Sequence, residues 1–336
     1  MLGDNIKRYR ILKGISLRKF GELVGLSQTA IAKYENNVLK PDGEKLIKFA
    51  EVLNCKVSDL LKNKTYRNNL DLNFRKRKSL AGYKLEFLKQ IITDKVNNYL
   101  DVLELNLINN NKMKKYKVNS ISDAEVAATK FREDNQINEV LPLVNLCDVI
   151  ENLGIQVIII NNDNGIFNGF DGVSQMVDGF PFICISSDIN CYRQRTTLAH
   201  ELGHLILDIK DDLDKEDICN EFASALLLPR KALFNECGYK RAVISEKEYK
   251  IIRDEYNVSI KAIIYRLNKY GIISVNYAKL AYINYNKYYK DDEFMNSNMR
   301  KEFPRRYEQL VLRLYSQNII TESRFNELME DYAIDE

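Results

Sequence analysis

Over the first sixty positions apolar residues recur at steps of three and four, and Ser, Gly and Pro punctuate them. Ile6, Tyr9 and Arg10 run into Lys13-Gly14, a helix stop. Ser16 is placed to cap a second helix carrying Leu17, Phe20, Leu23 and Val24, and Gly25 supplies the positive φ that ends it. Ser27 caps a third helix, with Ile31 and Tyr34 (and Ala30) facing inward and Gln28, Thr29, Ala32 and Lys33 outward. Pro41 and Asp42 open a fourth, with Leu46, Phe49, Ala50 and Leu53 on one side. Two short helices joined by a tight turn containing Gly make a helix-turn-helix, whose second helix reads base edges from its exposed N-terminal half.

Beyond this block the period stays helical. "NLDLNFRKRKSL" (69–80) is a short extended stretch ending in four basic residues, Arg75 to Lys78. Leu85, Leu88, Ile92, Val96, Tyr99, Leu103 and Leu107 then mark one amphipathic helix of about 28 residues. "NNNKMKKYKVNS" (109–120) reads as a polar linker. Two further helices, "SDAEVAATKFRE" and one within "LPLVNLCDVIENLGIQVIII", lead to a buried strand, and "FPFICIS" (180–186) is a strand, at an edge or in the interior.

The segment "RTTLAHELGHLILDI" (195–209) reads as a helix with Leu198, Leu202, Leu205 and Ile206 spread around it, buried on most sides. It also holds the only two histidines of the chain, His200 and His204, with Glu201 beside the first. Chance would set two histidines four apart about once in 170 times, and with Glu between them about once in a few thousand. Four residues are roughly 6 Å of rise and 40° of rotation, so both imidazoles leave the same face and can meet one ion. Glu201 then lies beside the metal, placed to take a proton from water and return it to a leaving amine. Two ligands are too few, and no His and no CxxC remain, so a carboxylate must complete the set. The next helix, in "DDLDKEDICNEFASALLLP" (211–229), offers Glu216, Asp217 and Glu221.

Composition sharpens the division. Residues 1–119 hold 25 Lys+Arg against 12 Asp+Glu, while the remainder holds 25 against 35, a basic part joined to an acidic one. No run approaches the roughly 18 apolar residues of a membrane span, and the start lacks the apolar stretch and cleavage site of a secretory signal. Six cysteines without a CxxC pair read as reduced thiols, which makes the cytoplasm the expected location.

Two resemblances follow from these motifs. Residues 3–62, through "SLRKFGELVGLSQTAIAKYENN" and a following P-x-x-x-x-L-x-x-x-A-x-x-L, resemble the XRE (Cro/C1-type) DNA-binding domain, with Gly21 where that family usually has Ala. The resemblance implies binding of double-stranded DNA, as a homodimer, with Gln28, Thr29 and Lys33 on bases and Arg18, Asn37 and Lys40 on phosphates. HExxH followed by E-x-x-small-N-x-F-A-x-x-L-L-L-P resembles the ImmA/IrrE family of metallopeptidases, as do "YRLNKYGII" and the tail 303–332. It implies one Zn²⁺ per chain on His200, His204 and Glu216, with Asn220 supporting Glu216, Cys219 in place of the usual Ala and Glu221 as the alternative ligand. Two His and one carboxylate also suit Fe, Mn or Co. Arg266, in the "YRL" element, is a candidate for stabilising the oxyanion or a structural salt bridge.

The expected architecture is mainly α with a small β-sheet (α+β), divided into a helix-turn-helix domain (1–63), a linking segment with the long helix (64–119), a zincin-like metallopeptidase domain (120–280) and a helical tail (281–336). Family members cleave XRE-type repressors. The expected function is a DNA-binding regulator whose zinc endopeptidase cuts a repressor-type partner or itself, in 63–80 or 109–120. The competing reading is a repressor whose metallopeptidase-like domain senses a ligand or metal with little proteolysis; an intact Glu201 speaks against it.

Overall fold

The computed structural model describes residues 2–62, 82–109, 113–162, 165–289, 299–330 and 332. The basic cluster Arg75 to Lys78 and most of the first linker lie outside these. The chain forms two compact units, residues 1–101 with 164–169, and 102–163 with 170–336.

In the first unit five helices follow the punctuation of the sequence: α1 (Leu2–Leu12), α2 (Leu17–Val24), α3 (Gln28–Glu35), α4 (Gly43–Leu53) and α5 (Val57–Leu61). Ser16, Ser27 and Asp42 each accept the N–H three residues on, and Gly25 closes α2 in the left-handed region at φ 75°. The core is Ile6, Phe20, Val24, Ile31, Tyr34, Leu46, Phe49, Ala50, Leu53 and Leu60. Within it Arg10 lies buried in a bidentate pair with Glu35, Nε to Oε1 at 2.6 Å and an Nη to Oε2 at 2.8 Å. Gly21 is more than a departure in helix propensity: a Cβ there would stand 2.6 Å from the Leu26 carbonyl oxygen, so the α2–α3 turn folds back against a bare backbone.

The long helix α6 is Tyr83–Leu105, shorter than its apolar period suggested. Leu88, Ile92, Val96, Tyr99 and Leu103 are buried as expected, but Leu107 is exposed with φ 55°, in the left-handed turn that follows the helix. In the first unit α6 is fixed by Asp94 accepting from Arg8 Nε at 2.7 Å and by the Tyr83 hydroxyl donating to the Ile11 carbonyl.

The second unit carries two small sheets and the remaining helices. Strands β2 (Gln156–Ile160), β3 (Gly172–Val177) and β4 (Phe180–Ser186) form one sheet in the order β2-β4-β3, β4 parallel to β2 and antiparallel to β3. The strand 180–186 is therefore interior, and among the described residues β3 is an edge. A two-stranded parallel sheet pairs β1 (Tyr116–Val118) with β5 (Leu207–Ile209). Both depart from expectation. Tyr116 and Val118 turn inward from what read as a linker, and the helix expected to reach residue 209 stops at Ile206.

Helices α7 (Ile121–Asp134), α8 (Leu146–Asn152), α9 (Cys191–Ile206) and α10 (Lys215–Leu227) pack around one core that includes Phe131, Ile150, Leu198, Leu202 and Phe222. Helices α11 (Arg230–Cys237), α12 (Glu246–Tyr256), α13 (Ile260–Lys269) and α14 (Val275–Asn284) extend it, and a π-helical turn ends α14. The tail forms α15 (Arg306–Ser316) and α16 (Glu322–Glu330). It is tied to the second unit: Glu302 pairs with Arg195 of α9 and accepts the Cys147 N–H, and Glu151 of α8 accepts the Arg305 and Arg306 N–H groups. No helix among the described residues is long and apolar enough to cross a membrane.

Candidate metal centre and DNA-reading helix

Helix α9 begins under Asn190, whose side chain accepts the Arg193 N–H, and it buries Leu198, Ala199, Leu202, Leu205 and Ile206. One face is left for chemistry. There the Nε2 atoms of His200 and His204 lie 3.1 Å apart, their rings at 76° to each other. Asp214 caps α10 by accepting the Glu216 and Asp217 N–H groups, which puts Glu216 in its first turn, facing α9. Its Oε2 stands 3.5 Å from His200 Nε2 and its Oε1 3.4 Å from His204 Nε2.

Those three separations make a test of fit. Ligands about 2.05 Å from a tetrahedral zinc are separated from one another by roughly 3.3 Å. The His200–His204 edge of 3.1 Å is close to that spacing, and the Glu216 carboxylate spans both imidazoles, Oε2 at 3.5 Å from His200 and Oε1 at 3.4 Å from His204, so three residues of the right donor type converge. Two imidazoles alone would not set both Nε2 atoms toward one carboxylate and toward each other.

Glu216 is thus the carboxylate that joins the histidines. Glu221 does not: its side chain is 2 % exposed and accepts from Tyr265, Arg266 and Lys269. Asp217 and Asn220 are exposed on the flank of α10. The neighbour of the metal ligands is Cys219 instead, with Sγ 3.5 Å from His204 Nδ1. Were Nε2 to hold a metal, Nδ1 would carry the proton and could donate to that sulfur. Gly203 lets α9 and α10 close to this distance, because a Cβ there would already touch Cys219 and Phe222 at 3.3 Å.

Glu201 is buried, 8 % exposed, and its Oε2 accepts from the Ser174 hydroxyl at 2.6 Å. Ser174 lies on edge strand β3. The strand sits tight on α9, for a Cβ at Gly172 would fall 2.6 Å from Thr197 Cγ2. Neither Ser174 nor Cys219 is found by a motif; only the fold brings β3 and α10 against α9. Arg266 is fully buried, with Nε donating to the Leu228 carbonyl and an Nη to Glu221 at 3.1 Å. Those are the partners of a structural ion pair in the core, and the oxyanion role falls away.

In the first unit Gln28, Thr29 and Lys33 are exposed on α3, and Arg18 and Lys40 are exposed on either side of it in sequence. Arg18 pairs with Glu22 across one solvated turn of α2, a contact worth only a few tenths of a kcal/mol. Asn37, expected on phosphate, is exposed, and its side chain is also engaged within the fold. Its Oδ1 accepts the Gly3 N–H at 2.8 Å and its Nδ2 reaches Asp4, which ties the start of α1 to the end of α3.

Residues 6–60 match the helix-turn-helix family model, and residues 150–268 match that of the IrrE N-terminal-like domain. No curated protein matches the chain. Among solved structures, Bacillus thuringiensis PlcR in complex with the peptide PapR7 and DNA is 12% identical, over 98% of this chain and 92% of that one. Its TM-score of 0.18 is too low for the likeness to bear on this fold.

Proposed function

Because the chain joins an XRE-type helix-turn-helix domain to an IrrE/ImmA-like domain, we propose that it is a DNA-binding regulator that acts as a zinc-dependent endopeptidase, cutting a repressor-type partner or itself to relieve repression. The observation that carries the reading is the triangle of His200, His204 and Glu216 with Glu201 held next to it. These three residues would hold one Zn²⁺. Zinc, when bound, supplies Lewis acidity, lowering the pKa of water toward roughly 7 and polarising a peptide carbonyl. Glu201 takes the proton from the attacking water and passes it to the leaving amine. The Ser174 hydroxyl restrains the Glu201 carboxylate by donating to one of its oxygens. An extended substrate would add to the sheet along β3, the edge strand beside Glu201, rather than along the interior β4.

The helix-turn-helix half binds duplex DNA as a homodimer, with Gln28, Thr29 and Lys33 on base edges and Arg18 and Lys40 on phosphates. Of the two self-cleavage segments, 63–80 lies outside the described residues, whereas 109–120 is described except for 110–112 and contains strand β1.

The experiment compares new protein N-termini, by mass spectrometry, in cells making the wild type or Glu201→Gln, each checked for a full zinc complement. The reading expects a cut in a helix-turn-helix protein, or in this chain, that needs Glu201. Identical termini with zinc-loaded protein in both would leave a sensor and sink the peptidase.

A further inference from the structure

Helices α7, α10 and the start of α11 enclose a cavity of about 370 Å³ that the metal chemistry does not use. One stripe of α7 lines it through Ser122, Thr129 and Arg132, at helical spacing; Ala225 of α10 and the Pro229–Arg230–Lys231 turn close the other side. Ala225 is nine residues past Glu216 on α10, about 14 Å along the helix axis, so this place is separate from the metal triangle.

Arg132 is 1 % exposed and has no acidic partner among the described residues. Its Nε donates to the Leu226 carbonyl and one Nη to the carbonyls of Asn138 and Leu141, while the other Nη has no hydrogen-bond partner among the described residues. A buried guanidinium held only by carbonyl oxygens pays no less desolvation than one with a carboxylate, and burial pulls its pKa down to about 10. Arg230, exposed at the mouth, is steadied by the rings of Phe234 and Tyr270 at 5.3 and 5.2 Å, and forms no ion pair among the described residues. The start of α11 adds to the same sign. Pro229 occupies its N-cap and no side chain caps it, so the first-turn N–H groups and the positive end of the helix lie at this wall.

Two carboxylates also line the cavity, and both are engaged. Glu139 pairs with Lys231, and Glu125 stands 3.5 Å from an Nη of Arg266. What remains is cationic on three counts: a buried guanidinium with an unused donor, an arginine at the mouth and an uncapped helix start. Hydroxyls of Ser122 and Thr129 stand along the same wall.

We propose that this cavity is a binding site for a small molecule bearing an oxyanion, phosphate or carboxylate, seated between Arg132, Arg230 and the start of α11. A volume of this size takes a small metabolite rather than a protein side chain. Arg132 holds the Leu226 carbonyl at the far end of the helix that carries Glu216, so the ligand would sit against the element that supplies the carboxylate of the metal triangle.

The test uses the full-length chain and two probes, inorganic phosphate and citrate, titrated by calorimetry at ionic strength held constant with chloride. Saturable binding of one or both is expected. Arg230→Ala should weaken it about tenfold, the effect of one lost charge-assisted hydrogen bond, without changing the melting temperature of the free protein. Arg132→Lys should weaken it too, and serves as a check only if it melts like wild type. Phosphate saturating alone assigns a phosphorylated ligand, and citrate alone a carboxylate. No saturation by either at tens of millimolar, or binding that Arg230→Ala leaves unchanged, overturns the proposal. Because citrate and phosphate also coordinate zinc, each titration is repeated on the metal-stripped chain; binding that persists there and falls in Arg230→Ala belongs to this cavity, and the result stands apart from the peptidase reading.

Discussion

In the helix-turn-helix unit each capping side chain lies three residues from the N–H it accepts, as Ser16, Ser27 and Asp42 show. The candidate metal centre is assembled across the chain: two histidines from α9, Glu216 from α10, Cys219 behind His204, and Ser174 reaching Glu201 from β3 at a separation of 27 residues. The first unit is therefore specified mostly by local rules, and its exposed helix α3 needs only that scaffold. The second depends on strand pairing and helix packing being right before any chemistry is possible. Damage should follow the same division: local changes should cost the first unit modest stability, and single side chains should remove function from the second without unfolding it.

The largest effect belongs to Glu201→Gln. It keeps the shape of the side chain and the metal ligands but removes the proton acceptor, so cleavage should fall by about 10²–10⁴-fold with zinc content unchanged. Rate and metal content measured on the same preparation check it.

The buried pair in the first unit should give the next largest effect, and it blurs the comparison, because Arg10 and Glu35 are 25 residues apart. Glu35→Ala leaves Arg10 buried without its carboxylate and should destabilise the unit by about 3–5 kcal/mol. Urea titration of the full chain, with DNA binding lost in step, is the measurement.

Cys219→Ala sharpens the comparison at the metal. Losing the sulfur that stands 3.5 Å from His204 Nδ1 should loosen zinc about tenfold, read by competition with a chelator, and leave the helix content unchanged. The smallest effect belongs to Ser27→Ala. One cap on α3 should cost about 1 kcal/mol, seen as a lower urea midpoint, with the zinc centre unaffected.

The same difference decides what the sequence made legible. Helix starts in the first unit were readable because Ser, Asp and Gly act on their own neighbours. The HExxH face was readable because its two ligands are one helical turn apart. Glu216 could be reached as one of three nearby carboxylates, and the fold chooses it by turning the first residues of α10 toward α9. Ser174 carried no signal, since a serine in a strand looks ordinary, and Cys219 showed only as a departure from the usual Ala until β3 and α10 are packed on α9. Strand β1 escaped for a related reason: three residues are too few to display alternation, and Tyr116 and Val118 turn inward only because β5 lies beside them. Arg266 shows the reverse case. An arginine in a family-like motif left oxyanion chemistry and a structural salt bridge both open, and its guanidinium pairs with Glu221 and a carbonyl in the core.

The most direct measurement is the metal content of the wild type and of Glu216→Ala, each purified without added metal and read by plasma mass spectrometry. The account predicts about one zinc per chain in the wild type and little in the variant, with both folded. Equal metal in the two would remove Glu216 from the centre, and none in the wild type, even after zinc is supplied, would contradict the metal centre itself.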